Sequence, residues 1–296
     1  MMLDYRIETF LKVCETLNFT KAAKELNTTQ PAISNHIKYI EDLYDTTLFI
    51  RDKKHVTLTK EGELLYNTLK SIRNDDNTLK ERIKAISHKR KLLSFGFTKT
   101  IGEFVIKDGL ISLIQNNQDT NFKIYYKNTK ELLYLLEHGK IDFAIVEGYF
   151  PKDKYNIHTL KNDDFILVSN YKHIFNNQIN NLSDLLQECI LLREEGSGSR
   201  DILSKALALK NLNINDFNNT IEINSITTLK ELLINDVGIS FIYRSAVNDE
   251  LNKGLLKEIK LNDLNINYEF NFISNLNSLF DKEYQKIFNF LKQNLK

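Results

Sequence analysis

The residues between positions 30 and 40 combine apolar and polar side chains in a helical pattern. Ile33, Ile37 and Ile40 recur at steps of four and three, which places them together on one buried face of a helix. The opposite face then carries amide, hydroxyl, imidazole and amine groups, from Gln30, Ser34, Asn35, His36 and Lys38. Groups of these types bind base edges in the major groove and backbone phosphates. The segment therefore predicts a helix that reads double-stranded DNA.

A shorter helix must hold this recognition helix in place. Thr20 is the predicted N-cap of that helix, which ends at Asn27 and carries the small and apolar residues Ala22, Ala23 and Leu26. Thr28 or Thr29 then caps the recognition helix, and Pro31 occupies its first turn, where a missing N–H breaks no hydrogen bond. Two helices joined in this way predict a helix-turn-helix, although any amphipathic helical hairpin shares part of the pattern.

Two short strands around a basic tip follow the recognition helix, in residues 48–59. Residues 50–60 hold four Lys and Arg against Asp52 alone, whereas residues 1–60 as a whole hold nine against eight Asp and Glu. Basic groups are therefore concentrated where phosphates would lie. The pattern predicts a winged helix-turn-helix whose DNA contacts are Thr20, Thr28, Thr29, Gln30, Pro31, Ser34, Asn35, His36, Lys38, Arg51, Lys53 and Lys54.

From Phe10 to about Tyr66 the chain resembles the LysR-type transcriptional regulators. Asn18 stands where the family usually has Ser, and Asp45 where it usually has Gly, but both residue types tolerate turn geometry. The resemblance implies sequence-specific DNA binding and transcriptional regulation, with RNA polymerase as a further candidate partner. It is carried by Phe10, Val13, Phe19, Thr20, Ala22, Ala23, Leu26, Gln30 to Ser34, Ile37, Glu41, Leu48, Phe49, Arg51, Leu58, Thr59 and Gly62.

The stretch from Thr59 to about His88 has no Pro and only one Gly, in its first turn. A helix of this length would span about 45 Å, too long to bury an apolar stripe against a small winged domain. The seam therefore needs a partner helix, from a second subunit or from its own chain. The resemblance implies a homodimer formed through this linker, often paired into a tetramer. Apart from a break at Asp76, the seam steps by 4, 3, 7, 4 and 3 through Leu65, Leu69, Ile72, Leu79, Ile83 and Ile86.

Beyond residue 89 the pattern changes to alternating strands and helices. The alternation predicts an α/β fold with a largely parallel sheet. Strands are predicted at residues 92–97, 122–126, 142–146, 165–168, 189–192, 220–223, 238–242, 255–259 and 268–272. Helices are predicted at residues 101–117, 129–138, 198–209, 226–234 and 279–291.

Three domains follow from these patterns. They are a winged helix-turn-helix at residues 1–58, a dimerisation linker helix at 59–89 and an effector-binding domain at 90–296. The resemblance implies that the effector-binding domain is a hinged, two-lobed α/β structure resembling periplasmic solute receptors. Its first lobe is expected at about 90–160 and 267–296, and its second at about 161–266.

Ligands of open α/β sheets bind at the carboxyl ends of strands, so the loops there form the candidate effector site. Hydroxyls and free N–H groups at helix starts suit an anion, and Gly lets the backbone approach a ligand. These loops supply Thr98, Lys99, Thr100, Ile101, Thr129, Glu147, Gly196, Ser197, Gly198, Ser199 and Arg200. The resemblance implies a small, anionic metabolite bound there between the lobes.

The alternative reading of the same loops is structural. Thr and Ser at helix starts are usually caps, and Gly-rich turns are usually only turns. The arginines Arg193 and Arg200 then pair with the neighbouring acids Glu194, Glu195 and Asp201.

Composition and motifs limit the other functions. With 42% hydrophobic and 27% charged residues and a net charge of +1, the chain has the composition of an ordinary soluble protein. Its start lacks a signal-peptide hydrophobic region, and no apolar run is long enough to span a membrane, so we expect a cytoplasmic protein without a membrane partner. Cys14 and Cys189 have no partners at metal-ligand spacing and are expected to be core thiols.

An enzyme is the main alternative, as a DNA-binding protein with a catalytic α/β domain. The chain has no dinucleotide-binding, phosphate-binding or nucleophile-elbow motif and no metal-ligand cluster, so no cofactor is expected. A solute receptor would need the missing signal segment and would not need a winged helix. An architectural DNA protein would not need two hundred residues of α/β structure.

Overall fold

The structure is a computed structural model that describes residues 4–52, 55–87 and 91–295. It divides into two compact units, one of Met1–Ile83 with Leu276–Leu279 and one of Lys84–Asn275 with Phe280–Lys296. Lys53 and Lys54, two of the predicted DNA contacts, lie outside the described residues. Within the described ranges, no helix is both long and apolar enough to cross a membrane.

Helices and a two-stranded wing form the first unit. In chain order its elements are α1 (Tyr5–Thr16), α2 (Phe19–Glu25), α3 (Gln30–Tyr44), β1 (Phe49–Arg51), β2 (Val56–Leu58) and α4 (Lys60–Ser87), whose last turn belongs to the second unit. The apolar stripe of α3 is buried as its spacing predicts, because Ile33 and Ile37 are fully enclosed in one core with Phe10. β1 and β2 pair antiparallel, with Phe49 opposite Leu58. The predicted winged helix-turn-helix is confirmed.

Polar side chains at the turns decide where these helices begin and end. The N-cap of α2 is Asn18, whose Oδ1 accepts a hydrogen bond from Lys21 N at 2.9 Å. The prediction that Thr20 caps this helix is therefore wrong. Thr29 caps α3, with its hydroxyl accepting from a first-turn N–H at 3.4 Å. After α3, Asp45 takes a left-handed conformation with φ of 48°, which Asp tolerates better than most residues.

The apolar seam of α4 lies in two different environments. Leu65 and Leu69 pack into the core of the winged domain. Ile72, Leu79 and Ile83 are instead 44%, 36% and 56% exposed in the single chain. The chain thus covers Leu65 and Leu69 of its own seam, and it leaves Ile72, Leu79 and Ile83 accessible to a second copy.

Three consecutive polar residues of α4, at positions 74–76, are buried. Asp75 accepts hydrogen bonds from Ser278 Oγ at 2.7 Å and from Leu279 N at 2.9 Å. Asp76, at the break in the seam, forms an ion pair with Lys80 one turn later. Asp76 thus stands where an apolar residue would have continued the heptad, with one carboxylate oxygen paired to Lys80 and the other without a partner among the described residues.

Strands and helices alternate through most of the second unit, as predicted. The strands are β3 (Lys91–Phe97), β4 (Thr120–Tyr126), β5 (Phe143–Val146), β6 (Tyr155–Asn170), β7 (Cys189–Arg193), β8 (Asn219–Ile223), β9 (Ser240–Tyr243), β10 (Leu256–Ile259) and β11 (Ile266–Asn275). The helices are α5 (Lys99–Phe104), α6 (Lys107–Gln115), α7 (Thr129–Glu137), α8 (Gly198–Ala208), α9 (Ile226–Ile234), α10 (Arg244–Asn252) and α11 (Asp281–Gln293).

The main sheet is mixed, and the prediction of a largely parallel sheet is wrong. Its strands follow the order β10-β6-β11-β5-β3-β4, and β9 also pairs with β6. β3 pairs parallel with β4 and β5, whereas β6 and β11 make only antiparallel pairs. β7 and β8 form a separate parallel pair, which a bridge from Ile190 to Ile239 joins to the β9 region. The long strands β6 and β11 thus run between a lobe built on β3, β4 and β5 and a lobe built on β7 to β10, called lobe I and lobe II below.

One predicted helix is two helices in the structure. Residues 101–117 were predicted as a single helix, but α5 ends at Phe104 and α6 begins at Lys107. The N–H groups of Val105 and Ile106 both donate to the carbonyl of Ile101, which closes the turn between the helices. Both intervening side chains are buried in the core, so packing fixes the break without a Gly or Pro.

Candidate functional site

The outer face of α3 carries the predicted base-reading residues. Gln30, Asn35 and Lys38 are exposed, and Ser34 is half-buried. Gln30 Nε2 donates a hydrogen bond to Ser34 Oγ at 2.9 Å, so the two side chains form one polar unit at the start of the helix. An amide and a hydroxyl held together in this way offer both donors and acceptors to a base edge.

Other predicted contacts on these helices have mixed roles. The ring of His36 lies against α1, with its Nδ1 3.0 Å from Thr9 Oγ1 and its ring edge-on to Tyr5 at 4.9 Å. This histidine therefore helps to join α3 to α1. The hydroxyl of Thr29 acts as the cap of α3. The remaining contacts around the turn are exposed, namely Thr20, Thr28 and Pro31.

A shallow depression joins the recognition helix to the wing. The guanidinium of Arg51 lies over the ring of Phe19 at 4.0 Å from its centroid, which restrains the arginine beside α3. The described lining of the depression holds two cations, Lys38 and Arg51, together with three acids, so this lining has a mixed charge. The depression is lined by Ser34, Asn35, Lys38, Glu41, Asp42, Asp45, Thr46, Thr47 and Arg51.

The predicted effector residues of lobe I converge on Glu147, directly after β5. The hydroxyl of Thr98, which follows β3, donates to the Glu147 carboxylate. The hydroxyl of Thr129, at the start of α7, donates to the Glu147 carbonyl at 2.8 Å. All three residues are buried. The carboxyl ends of neighbouring parallel strands thus meet here, as the sheet rule predicts.

The Gly-Ser loop of lobe II packs directly on this group. Ser197 caps α8, and Gly196 before it has a φ of +83°. A Cβ placed on Gly198 would lie 2.3 Å from the carbonyl oxygen of Glu147, and one on Gly148 would lie 2.4 Å from the Cα of Gly198. Only glycine permits backbones to approach this closely. The structure therefore brings the loops of the two lobes into contact at Glu147.

The charged residues of the loop are occupied within the protein. Arg193 donates to both carboxylate oxygens of Glu194, at 2.9 and 3.1 Å. Arg200 donates to the carbonyl of Arg193 and to Glu222, both at 2.9 Å. Lys99 donates to the carbonyl of Asn224 and lies 3.8 Å from Glu194. The arginines follow the structural alternative, although Arg200 pairs with Glu222 of β8 and not with Asp201.

The two remaining predicted residues of α5 are enclosed. Thr100 is buried in the first turn of the helix, and Ile101 is fully buried in the main core. Ile101 therefore acts as a core residue. An open groove of about 670 Å³ lies beside the loops that meet at Glu147 and gives access to the edge of that contact. Three predicted effector residues line this groove, Thr129, Gly196 and Arg200.

Three enclosed hydroxyls lack a hydrogen-bond partner among the described residues. They are Ser199 Oγ, in the first turn of α8, Tyr243 OH, at the end of β9, and Ser245 Oγ, in α10. Burial raises the pKa of Tyr243, and the nearby Glu147 adds to that shift. Sequence reasoning missed Tyr243, although it also follows a strand and the same rule points to it. Within the described ranges, no cluster of His, Cys, Asp and Glu could hold a metal ion.

Burial raises the pKa of Glu147 from its ordinary value of 4.5 to about 7, although the Thr98 hydroxyl and the charge of Arg193 oppose the shift. The folded state therefore holds the proton more tightly than the unfolded chain between these two pH values. It follows that the contribution of this carboxyl to the free energy of unfolding falls as the pH rises from 4.5 to 7. This loss of stability is complete above pH 7.

We expect Glu147→Gln, which keeps the shape but not the charge, to remove this pH dependence. Relative to the wild type, its free energy of unfolding should rise by about 2–3 kcal/mol between pH 5 and pH 8. Urea unfolding of both proteins across this range measures the difference. Parallel pH profiles would show that Glu147 is not a buried titrating group.

Comparisons with known proteins extend over both units. Two family models match the chain. The model described as "Bacterial regulatory helix-turn-helix protein, lysR family" matches residues 5–63, and the model described as "LysR substrate binding domain" matches residues 87–296. The HTH-type transcriptional regulator CysL of Bacillus subtilis is 30% identical over 247 residues, which cover 83% of this chain and 82% of CysL.

Solved structures show the same fold. A hydrogen-peroxide-bound mutant of OxyR from Corynebacterium glutamicum matches with a TM-score of 0.59 at 24% identity, over 98% of this chain and 91% of that one. CrgA from Neisseria meningitidis, a LysR-type transcriptional regulator, matches with a TM-score of 0.55 at 15% identity, over 99% of both chains.

Proposed function

This chain belongs to the LysR-type family of transcriptional regulators, and we propose from this premise how its two units act. The first unit is a DNA-binding domain and the second a substrate-binding domain. In our proposal a homodimer, which can pair further into a tetramer, binds operator DNA through α3 and the wing. A small metabolite with an anionic group binds between lobe I and lobe II and changes transcription. The chain acts by binding and not by turnover.

The packing of the Gly-Ser loop on Glu147 is the observation that carries the effector proposal. It gathers hydroxyls from both lobes, those of Thr98, Thr129 and Ser199, around one enclosed contact. A ligand bound there would touch both lobes, so its affinity would depend on how far they are closed. This dependence is what allows a ligand to change the arrangement of subunits on DNA.

For the DNA interface, we propose that Gln30, Pro31 and Ser34 lie against base edges. The phosphates then contact Thr20 and the cations, namely Lys38, Arg51 and Lys53. The exposed amide of Gln30 and its bond to Ser34 support the first assignment. The position of Lys38 and Arg51 on one depression supports the second.

Replacing Gln30 by Ala should weaken binding to the operator by about 1–3 kcal/mol and leave non-specific binding nearly unchanged, because an amide reads a base but adds no charge. The operator can be selected from a random-sequence pool and titrated at several salt concentrations, with a scrambled duplex as the competitor. Lys38→Ala is the contrasting variant, since losing a phosphate contact should weaken binding to both DNAs and reduce the salt dependence. Equal losses on both DNAs for Gln30→Ala would show that this residue only positions the protein.

Substituting Thr100 and Ser199 together by Ala should abolish the response to the effector while operator binding persists, because the two functions reside in separate domains. A thermal-shift screen of the whole protein with carboxylates, sulfur oxyanions, phosphorylated sugars and amino acids identifies ligands, since a ligand bound only by the folded state raises its melting temperature. Footprinting with and without such a ligand then measures the response. A normal response of the double variant would place the ligand elsewhere.

A further inference from the structure

The carboxylate of Glu147 is enclosed, and no cation among the described residues forms an ion pair with it. Its side chain is 2% exposed, and the hydroxyl of Thr98 donates to it. The charge of Arg193 favours its ionised form, but that guanidinium is already bound to both oxygens of Glu194. No ion pair joins Glu147 to a Lys, Arg or His in the part of the chain that the structure describes. A carboxylate buried in this way is stabilised by any group that brings positive charge to it.

Hydrogen-bond donors lie on the other side of the same contact. A Cβ placed on Gly198 would lie 3.0 Å from Glu147 Cγ, so the start of α8 touches the side chain that carries the carboxylate. The N–H groups in the first turn of a helix have no partner within the helix. Ser199 Oγ lies in this turn, is enclosed, and has no partner among the described residues. Tyr243 OH, at the end of β9, is also enclosed and without a partner among these residues, and it lies close enough to Glu147 for that carboxyl to raise its pKa. These groups suit a negatively charged ligand atom.

We propose that the effector has the head of an α-amino acid, whose ammonium group binds Glu147 and whose carboxylate binds the first turn of α8 and Ser199. The inference rests on the proposed function, because it names the ligand class of the same site between the lobes. The acceptor Glu147 and the first turn of α8 lie on two segments in direct contact, since a Cβ on Gly198 would lie 3.0 Å from Glu147 Cγ. An α-amino acid matches such a pair, because it carries its two opposite charges on a single carbon.

Ligands with only one of these charges fit less well. A purely anionic ligand would bring its charge against Glu147, and a purely cationic one would leave the donors of α8 without an acceptor. The ionisation of Glu147 agrees with this reading. Burial raises the pKa of this carboxyl to about 7, and an ammonium group would oppose that shift by favouring the charged form.

The test uses the full-length protein and the common L-amino acids, each added separately in a thermal-shift assay. Any amino acid that raises the melting temperature is then compared with its 2-hydroxy acid, which lacks the ammonium group, and with its decarboxylated amine. Dissociation constants come from calorimetric titration. The variants are Glu147→Gln, Ser199→Ala and the control Glu231→Gln, which removes an exposed acid from α9 of the same unit.

We expect one amino acid to bind the wild type at least about tenfold more tightly than either analogue, because each analogue leaves one half of the site unpaired. Glu147→Gln should weaken binding of the amino acid by at least about tenfold and should hardly weaken binding of the 2-hydroxy acid. Ser199→Ala should weaken binding of both ligands, and the control Glu231→Gln should weaken binding of neither. Since Glu147→Gln removes a buried charge, loss of folding is not expected to explain its effect.

Two kinds of result would separate this inference from the function on which it rests. If a carboxylate or sulfur oxyanion without an ammonium group binds more tightly than every amino acid, loses affinity in Ser199→Ala and binds at least as well to Glu147→Gln, the amino-acid class is wrong and the site stands. The absence of any amino-acid response also overturns the inference. If ligands bind but neither variant changes their affinity, the assignment of the site between the lobes is wrong as well.

Discussion

Replacing Ile72 by Asp should convert the proposed dimer to monomers and abolish operator binding. Ile72 is 44% exposed in the single chain and lies on the seam of α4 with Leu79 and Ile83, which are also exposed. In a two-fold symmetric pair a seam residue faces the copy of the same region, so each new carboxylate would be buried near its equivalent. Burying an unpaired charge costs several kcal/mol, and two would face each other.

Sedimentation of the purified proteins measures the oligomeric state, and gel-shift titration measures operator affinity. Leu64→Asp provides a matched control, because Leu64 is 71% exposed on the same helix but lies off the seam. That variant should remain a dimer. A dimeric Ile72→Asp protein with full operator affinity would show that α4 does not pair along this seam.

The seam also shows how far sequence spacing reaches. Its heptad steps correctly predicted a continuous helix, which the structure has from Lys60 to Ser87. The heptad steps did not predict that the seam has two different surroundings. Leu65 and Leu69 are covered by the winged domain of the same chain, whereas the later seam residues are exposed. Periodicity reports that a face must be buried but not what buries it.

Local signals account for most of the second unit. The helix at 226–234 was predicted with the bounds that α9 has, and α8 differs by one residue, because Ser225 and Ser197 mark their starts as caps. Such signals fail when several residues qualify. Asn18 and Thr20 both have capping side chains, and the structure uses Asn18, with Phe19 buried in the first position of the helix.

Non-local contacts account for the errors. The antiparallel pairing of β6 with β11 joins segments about a hundred residues apart, and no local pattern in either strand records its direction. The same holds for Arg200, whose partner Glu222 lies on β8 while the acids next to it in sequence were the expected ones. The loops of the candidate site were predictable because a general rule places ligands at strand ends, whatever the strand order.

Replacing Gly198 by Ala should loosen the contact between the lobes and remove the response to the effector. By helix propensity alone Ala would be favoured in α8, by up to about 1 kcal/mol. The new Cβ, however, would lie 2.3 Å from the carbonyl oxygen of Glu147 and 2.6 Å from its carbonyl carbon. These are backbone atoms, which cannot rotate away as a side chain can, so the loops must separate. Overpacking of this kind costs about 1–3 kcal/mol or more, and the steric effect should prevail.

In calorimetric melting, the substrate-binding domain of Gly198→Ala should unfold several degrees below that of the wild type. For a domain of this size, each kcal/mol of lost stability lowers the melting temperature by about 2–4 °C. Gly109→Ala in α6 is the matched control, because its Cβ would meet nothing closer than the carbonyl oxygen of Asn294 at 3.4 Å. That variant should melt at or above the wild-type temperature. Operator binding should survive in both, since neither residue belongs to the DNA-binding domain. If Gly198→Ala melts like the wild type and still answers its effector, the loops of Glu147 and Gly198 do not touch in solution, and the ligand site must be sought away from them.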